Sequence, residues 1–310
     1  MSIERRDFLK TAIVGATQAA HLPAAPPAAT SESLVSTLHK SLSAGQRTRI
    51  CFPFDDPLRS KVDANWQITP HRIGEIFTPD QQQIVKEIFV GLHNPQLAGE
   101  VMRHVKEDAG GLDHYAVALF GDPGKMEFVI TGRHCTARCD GDAVPGMAFG
   151  GPVFYGHQSG AHDLEAAGHG QNVYWFQGKR ANEVFASMSG KQRELALLKK
   201  HPRVEKQNKT VELKTEAFDG LPVADMTRDQ RELVEKVLSD LLLPFRQKDA
   251  GEARRLIQSA GGIESLHMAY YKNFDVGGDG VWDVWQLEGP KMVWFFRGYP
   301  HVHVWVRVEA

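Results

Sequence analysis

The chain has 310 residues, with 36 Lys and Arg against 38 Asp and Glu, a formal charge of −2 and 42% apolar residues. That balance gives no basic footprint for nucleic acid, and the length suits one large domain or two fused smaller ones. Three cysteines make no disulfide framework, and their spacing fits no zinc pattern.

The N-terminus reads Arg5-Arg6-Asp7-Phe8-Leu9-Lys10, then a mildly apolar run over 11–20 and an Ala/Pro-rich stretch to Ala29. This order resembles a twin-arginine export signal. The expectation is therefore an export signal over 1–29, the twin-arginine machinery as a partner, and a periplasmic or secreted protein. No tidy Ala-x-Ala site follows, so cleavage is placed only loosely, near 25–29. The apolar run is too short to span a bilayer, and no stable membrane span is expected after processing. Proteins on that route commonly fold, and load a cofactor, before crossing.

The remainder, 30–310, is expected to be a single α+β domain of antiparallel sheets with flanking helix pairs. Its organising signal is an internal echo. Thr78-Pro-Asp-Gln81 is matched by Thr227-Arg-Asp-Gln230, and each is a capping box opening an amphipathic helix. Proline suits the first helical position, where Pro79 stands. A second helix follows in each half, and each ends in a glycine pair, Ala109-Gly-Gly and Ala260-Gly-Gly, as left-handed helix ends require. Strand-like runs come next: 115–120, 126–130, 133–138 and 146–155 in one half, 267–271, 281–285, 291–296 and 301–308 in the other. Gly121-Asp-Pro-Gly124 and Gly277-Gly-Asp-Gly280 read as hairpin turns. Pseudo-repeats of about 78–155 and 227–308 follow. The basic stretch at 199–209 reads as a solvated connector, and Cys135 and Cys139 as small buried residues.

The last strand carries the sharpest chemical signal, Tyr299-Pro-His-Val-His-Val-Trp305. Residues at i and i+2 leave a strand on the same face, about 6.5–7 Å apart, so His301 and His303 can turn their imidazoles toward one ion. A structural, hydrogen-bonded role for the pair is the alternative. Trp305 shares that face.

The order Trp66-Gln-Ile-Thr-Pro-His-Arg72-Ile-Gly74, the helix from Thr78, Gly132-Arg-His134 and the ending His301-Val-His303-Val-Trp305 resembles the exported domain of unknown function family 3500. The resemblance covers roughly 45–308. Its marks are a Gly-His-His tripeptide and a His-x-His-x-x-x-Arg ending. Here Arg133 stands at the first histidine, so only His134 carries over, while His301, His303 and Arg307 keep the ending. The resemblance implies an α+β fold, export and shared histidines, and it brings no settled reaction.

His134, His301 and His303 are thus the candidate metal ligands, with His157 as a fourth. Three or four imidazoles favour copper, zinc or iron over calcium or magnesium, which prefer oxygen donors. Copper heads the list. The expected function is an exported, copper-dependent oxidoreductase acting with oxygen or peroxide on a small-molecule substrate. The alternatives are a zinc-type hydrolase using the same ligands, through a bound water of lowered pKa, and a non-catalytic metal-binding protein. A fourth reading makes the histidines structural and lets Arg72 and aromatic residues bind an organic ligand. Arg72 is a candidate substrate contact or a local structural residue, and Asp140, Asp142 or Glu288 are expected to brace the ligand imidazoles. Tyr155, Trp175 and Trp285 read as core. No nucleophile elbow, phosphate loop, dinucleotide fingerprint or calcium loop is present.

Overall fold

The structure, a computed structural model, describes residues 30–140, 143, 145–158, 172–199, 205, 207–272 and 282–310. The expected export signal, the Gly277–Gly280 turn, Asp142, His162, His169 and His201 lie outside the described residues.

The fold is α+β. Its first half runs α1 (Ser31–Ser41), α2 (Ala44–Ile50), β1 (Cys51–Phe52), α3 (Ile73–Ile76), α4 (Pro79–Gly91) and α5 (Ala98–Ala109). Strands β2 (Ala116–Asp122), β3 (Lys125–Gly132), β4 (Cys135–Cys139) and β5 (Val153–His157) follow. The second half runs α6 (Trp175–Ser187), α7 (Gly190–Ala196), β6 (Leu197–Leu198), β7 (Leu221–Pro222), α8 (Arg228–Leu242) and α9 (Gln247–Ser259). It closes with β8 (His267–Tyr271), β9 (Val284–Gly289), β10 (Met292–Arg297) and β11 (Val302–Val308).

The eleven strands of the described residues form one sheet, ordered β1-β2-β3-β4-β5-β11-β10-β9-β8-β6, with β7 beside β8. Among the described residues only β1 with β2 and β6 with β8 are parallel. The halves join where β5 and β11 pair antiparallel, from Val302 opposite His157 to Val306 opposite Val153.

Side-chain alternation divides that sheet into two faces. Val302, Val304, Val306 and Val308 pack with Val85, Ile88, Val234 and Leu238 of the helices. Trp305, Phe154, Val293 and Phe295 face the other way, under Val62 and Val211 of the connecting segments. Burying each such side chain contributes about 1.5–3 kcal/mol.

The two halves repeat local hydrogen bonding as well as element order. Thr78 with Gln81 and Thr227 with Gln230 both complete capping boxes, as do Ser43 with Gln46 and Ser189 with Gln192 upstream. Gln46 Nε2 donates to Gln81 Oε1 at 2.7 Å, and Gln192 Nε2 to Gln230 Oε1 at 2.9 Å. Gln81 and Gln230 in turn donate to the backbone oxygens of Ser41 and Ser187. Each glutamine caps one helix and ties down the end of another.

Three of the expected strands differ in their bounds, and one of them, the run expected at 281–285, is β9 at Val284–Gly289. Residues 146–152 hold only an isolated bridge from Met147 to Glu309 and a short 3-10 helix, Ala148–Gly150, with Phe149 at φ +60° and Gly150 at +74°, so β5 starts only at Val153. The expected run through 133–138 is broken as well: Gly132 pairs with Cys135, and Arg133-His134 is the tight turn between them.

Beyond that turn, Arg138 pins a connector across the sheet. Its Nη1 meets Glu127 Oε1 at 3.0 Å with both side chains fully buried. It also donates to the backbone oxygens of Arg59 and Lys61. The same connector offers Ala64 O to the His134 N–H at 2.9 Å.

Candidate metal centre

His134 occupies the β3–β4 turn at φ +56°, a left-handed conformation uncommon for residues other than glycine. Its surroundings impose it. A Cβ on Gly132 would stand 2.5 Å from the Tyr115 ring, so only glycine lets that ring lie against the turn. The Tyr115 hydroxyl then donates to Arg133 O at 2.6 Å. His301 and His303 arrive from the start of β11, where strand alternation puts both on the face away from the helices.

The three imidazoles converge. His134 Nε2 lies 3.0 Å from His301 Nε2, which lies 2.9 Å from His303 Nε2. The outward nitrogens meet carboxylates: His134 Nδ1 is 2.8 Å from Asp108 Oδ2, and His303 Nδ1 is 3.0 Å from Glu205 Oε1. Asp108 comes from the last turn of α5. Glu205 comes from the connector between the halves, and it also accepts from Trp305 Nε1 at 2.8 Å and pairs with Arg297 Nε at 3.1 Å.

Counting protons decides what this arrangement can do. A carboxylate only accepts, so the Nδ1 atoms of His134 and His303 carry the hydrogens, and in neutral rings, the form that binds a metal, their Nε2 atoms present lone pairs. His301 Nε2 carries one hydrogen at most, yet faces both. One proton cannot serve two such contacts fully in a buried site, where His134 and His301 are each 8% exposed. A cation between the rings satisfies all three. Ligands about 2.0–2.1 Å from a tetrahedral ion stand roughly 3.3 Å apart, a small outward adjustment from the spacing observed. The trio can therefore hold a metal ion.

The electrostatics suit that use. Burial pushes the His303 imidazole down to about 3 against the pull of Glu205, leaving it neutral as a ligand must be. Burial would raise Glu205, but the His303 and Trp305 bonds and the Arg297 charge bring it to about 2. Asp108 is also opposed by burial, yet its His134 and His157 contacts hold it well below the usual carboxylate range.

His157 does not join the trio. It sits opposite Val302 and so points to the helix face, whereas His303 sits opposite Gly156 and points to the other. The expectation of a fourth ligand fails on this parity. His157 instead lies against α5, with Nδ1 3.3 Å from Asp108 Oδ1 and Nε2 3.6 Å from Glu107 Oε2. Together with His104 and Glu107 it forms a second group close enough for an ion. Its rings argue otherwise: His104 and His157 stack 3.5 Å apart at 9°. Imidazole lone pairs lie in the ring plane, so parallel stacked rings do not aim at a common point.

Other expected positions are corrected too. Asp140 follows β4 at the end remote from His134, and Glu288 on β9 binds Lys214 Nζ at 2.9 Å. Neither braces the trio; Asp108 and Glu205 do. Arg72 is exposed and caps α3, its N–H donating to Glu75 Oε2 at 3.3 Å. Cys135 is buried, its thiol pushed up to about 12 by that burial, and it contributes no soft donor to the trio.

Behind His134 and Asp108, toward the helices, lies a mostly apolar cavity of about 50 Å³ lined by Val101, Val105, Tyr155, Tyr174 and Phe245 among others. No helix among the described residues is long and apolar enough to cross a membrane.

No curated protein matches the chain, and no solved structure does. Residues 25–308 match the family described as "Protein of unknown function (DUF3500)", and the chain belongs to that family.

Proposed function

We propose that this chain is an exported metalloprotein in which His134, His301 and His303 hold one transition-metal ion, and that its chemistry is copper-dependent oxidation with oxygen or peroxide. The observation that carries the metal is the Nε2 cluster, with contacts of 2.9 and 3.0 Å that share at most one proton when the three rings are neutral. Neutral imidazoles without a thiolate suit Cu(II). Export rests on the Arg5-Arg6 segment.

A second reading, a zinc hydrolase, draws on the Asp108–His134 and Glu205–His303 pairs. Carboxylates so placed are the usual support of zinc-bound histidine. The two readings share ligands and differ in the ion. Elemental analysis of protein isolated through its own export route, with a paramagnetic resonance spectrum, separates them. One copper per chain with a Cu(II) signal is expected. One spectroscopically silent zinc per chain, with no copper, moves the assignment to hydrolysis, and absence of stoichiometric metal refutes both.

A further inference from the structure

Asp108 is an anion in an unfavourable place. Its side chain is 3% exposed, and it sits in the last turn of α5, where the helix dipole presents its negative end. Its partners do not cancel a full charge. His134 Nδ1 approaches Oδ2, while the Gln158 N–H (3.1 Å) and His157 Nδ1 (3.3 Å) approach Oδ1. Among the described residues no arginine or lysine lies within ion-pair distance of it, whereas Glu205, on the far side of the trio, is offset by Arg297. The two carboxylates make the same hydrogen bond to a ligand imidazole and differ in net charge.

We propose that Asp108 makes the histidine trio selective for a doubly charged over a singly charged ion, with Glu205 contributing less because Arg297 neutralises it. The inference rests on the metal reading above and adds which charge state of ion the site prefers. Imidazole donors are neutral and carry little information about ion charge. An uncompensated carboxylate one imidazole away attracts +2 twice as strongly as +1, and a buried setting screens that difference weakly. A cation is also what offsets the burial of Asp108. For copper, the same preference favours the cupric over the cuprous ion.

Zn²⁺ and Ag⁺ are suitable redox-inert probes, their affinities measured by competition with a chromophoric chelator at one pH. Asp108→Asn keeps the shape and removes the charge. It should weaken Zn²⁺ about 10–100-fold and Ag⁺ much less, so that the Zn²⁺ to Ag⁺ preference falls. Glu205→Gln should lower that preference by a smaller factor, and Asp108→Glu should largely restore it. Arg297→Gln provides a test independent of the folding of the Asp108 variants: unmasking Glu205 should raise the preference. Equal weakening of both ions by Asp108→Asn overturns the inference, because Asp108 then only orients His134. An unchanged or lowered preference in Arg297→Gln overturns it as well. A wild type that binds Zn²⁺ and Ag⁺ alike sinks the inference and leaves the metal site standing. One that binds neither removes the metal reading, and this inference with it.

Discussion

Two buried histidine groups flank Asp108. On one side His134, His301 and His303 meet through ring nitrogens, their rings inclined at 61–70° to one another. On the other, His104 and His157 lie flat together at 9°. The residue type is the same and burial is similar, yet only the inclined group aims its lone pairs at one point. Ring orientation, set by the backbone beneath it, separates a group that can bind an ion from one that packs.

Removing the inclined group should have the largest effect. The double variant His301→Ala, His303→Ala is expected to bind no stoichiometric metal, read by elemental analysis after dialysis against the ion. Full loading of that variant would place the ion elsewhere.

Gly132→Ala attacks the backbone beneath the same group. The added Cβ meets the Tyr115 ring, so the turn must shift, at a cost of about 1–3 kcal/mol, and His134 should move with it. Denaturant unfolding and a metal titration should both register the change. Wild-type affinity in a folded variant would show that the left-handed turn is not needed for binding.

The stacked group answers in the opposite sense. His157→Ala should retain one ion per chain, with affinity lowered by about tenfold or less, because it touches the ion only through Asp108. Loss of the ion in that variant, with the trio intact, would reverse the comparison.

A histidine outside both groups gives the smallest effect. Burial pushes His93 down to about 4, so between that pH and about 6.5 the unfolded chain binds the extra proton and the folded chain does not. Its contribution to stability is present above about 6.5 and is lost as pH falls toward 4. Urea midpoints measured across that window should rise with pH less steeply in His93→Gln than in wild type. Equal slopes would show that another group carries the dependence.

Much of the fold is legible from local signals. Capping boxes at Thr78 and Thr227, glycine at the helix ends and the alternation around His301 and His303 each depend on a few neighbouring residues, and the structure contains all of them. What local reading misses depends on pairing between distant segments. Whether His157 and His303 share a face is set by the β5–β11 register, which neither strand specifies alone. His134 leaves its expected strand because Tyr115 and Ala64, far away in sequence, hold the turn. Asp108 closes a helix and Glu205 lies in a stretch that reads as a basic connector; no spacing rule ties either to a histidine. An acid in the last turn of a helix, where the dipole opposes it, is the one hint the sequence carries.

In the proposed centre three imidazoles share one ion through Nε2 while two of them keep Nδ1–H on carboxylates. Histidine-selective ¹⁵N resonance spectra during a zinc titration test it most directly. The Nε2 signals of His134, His301 and His303 should shift together and saturate at one equivalent, with the Nδ1–H of His134 and His303 retained and the His104 and His157 rings not coordinated. Coordination through Nδ1 of His134, or through the stacked pair, would contradict it.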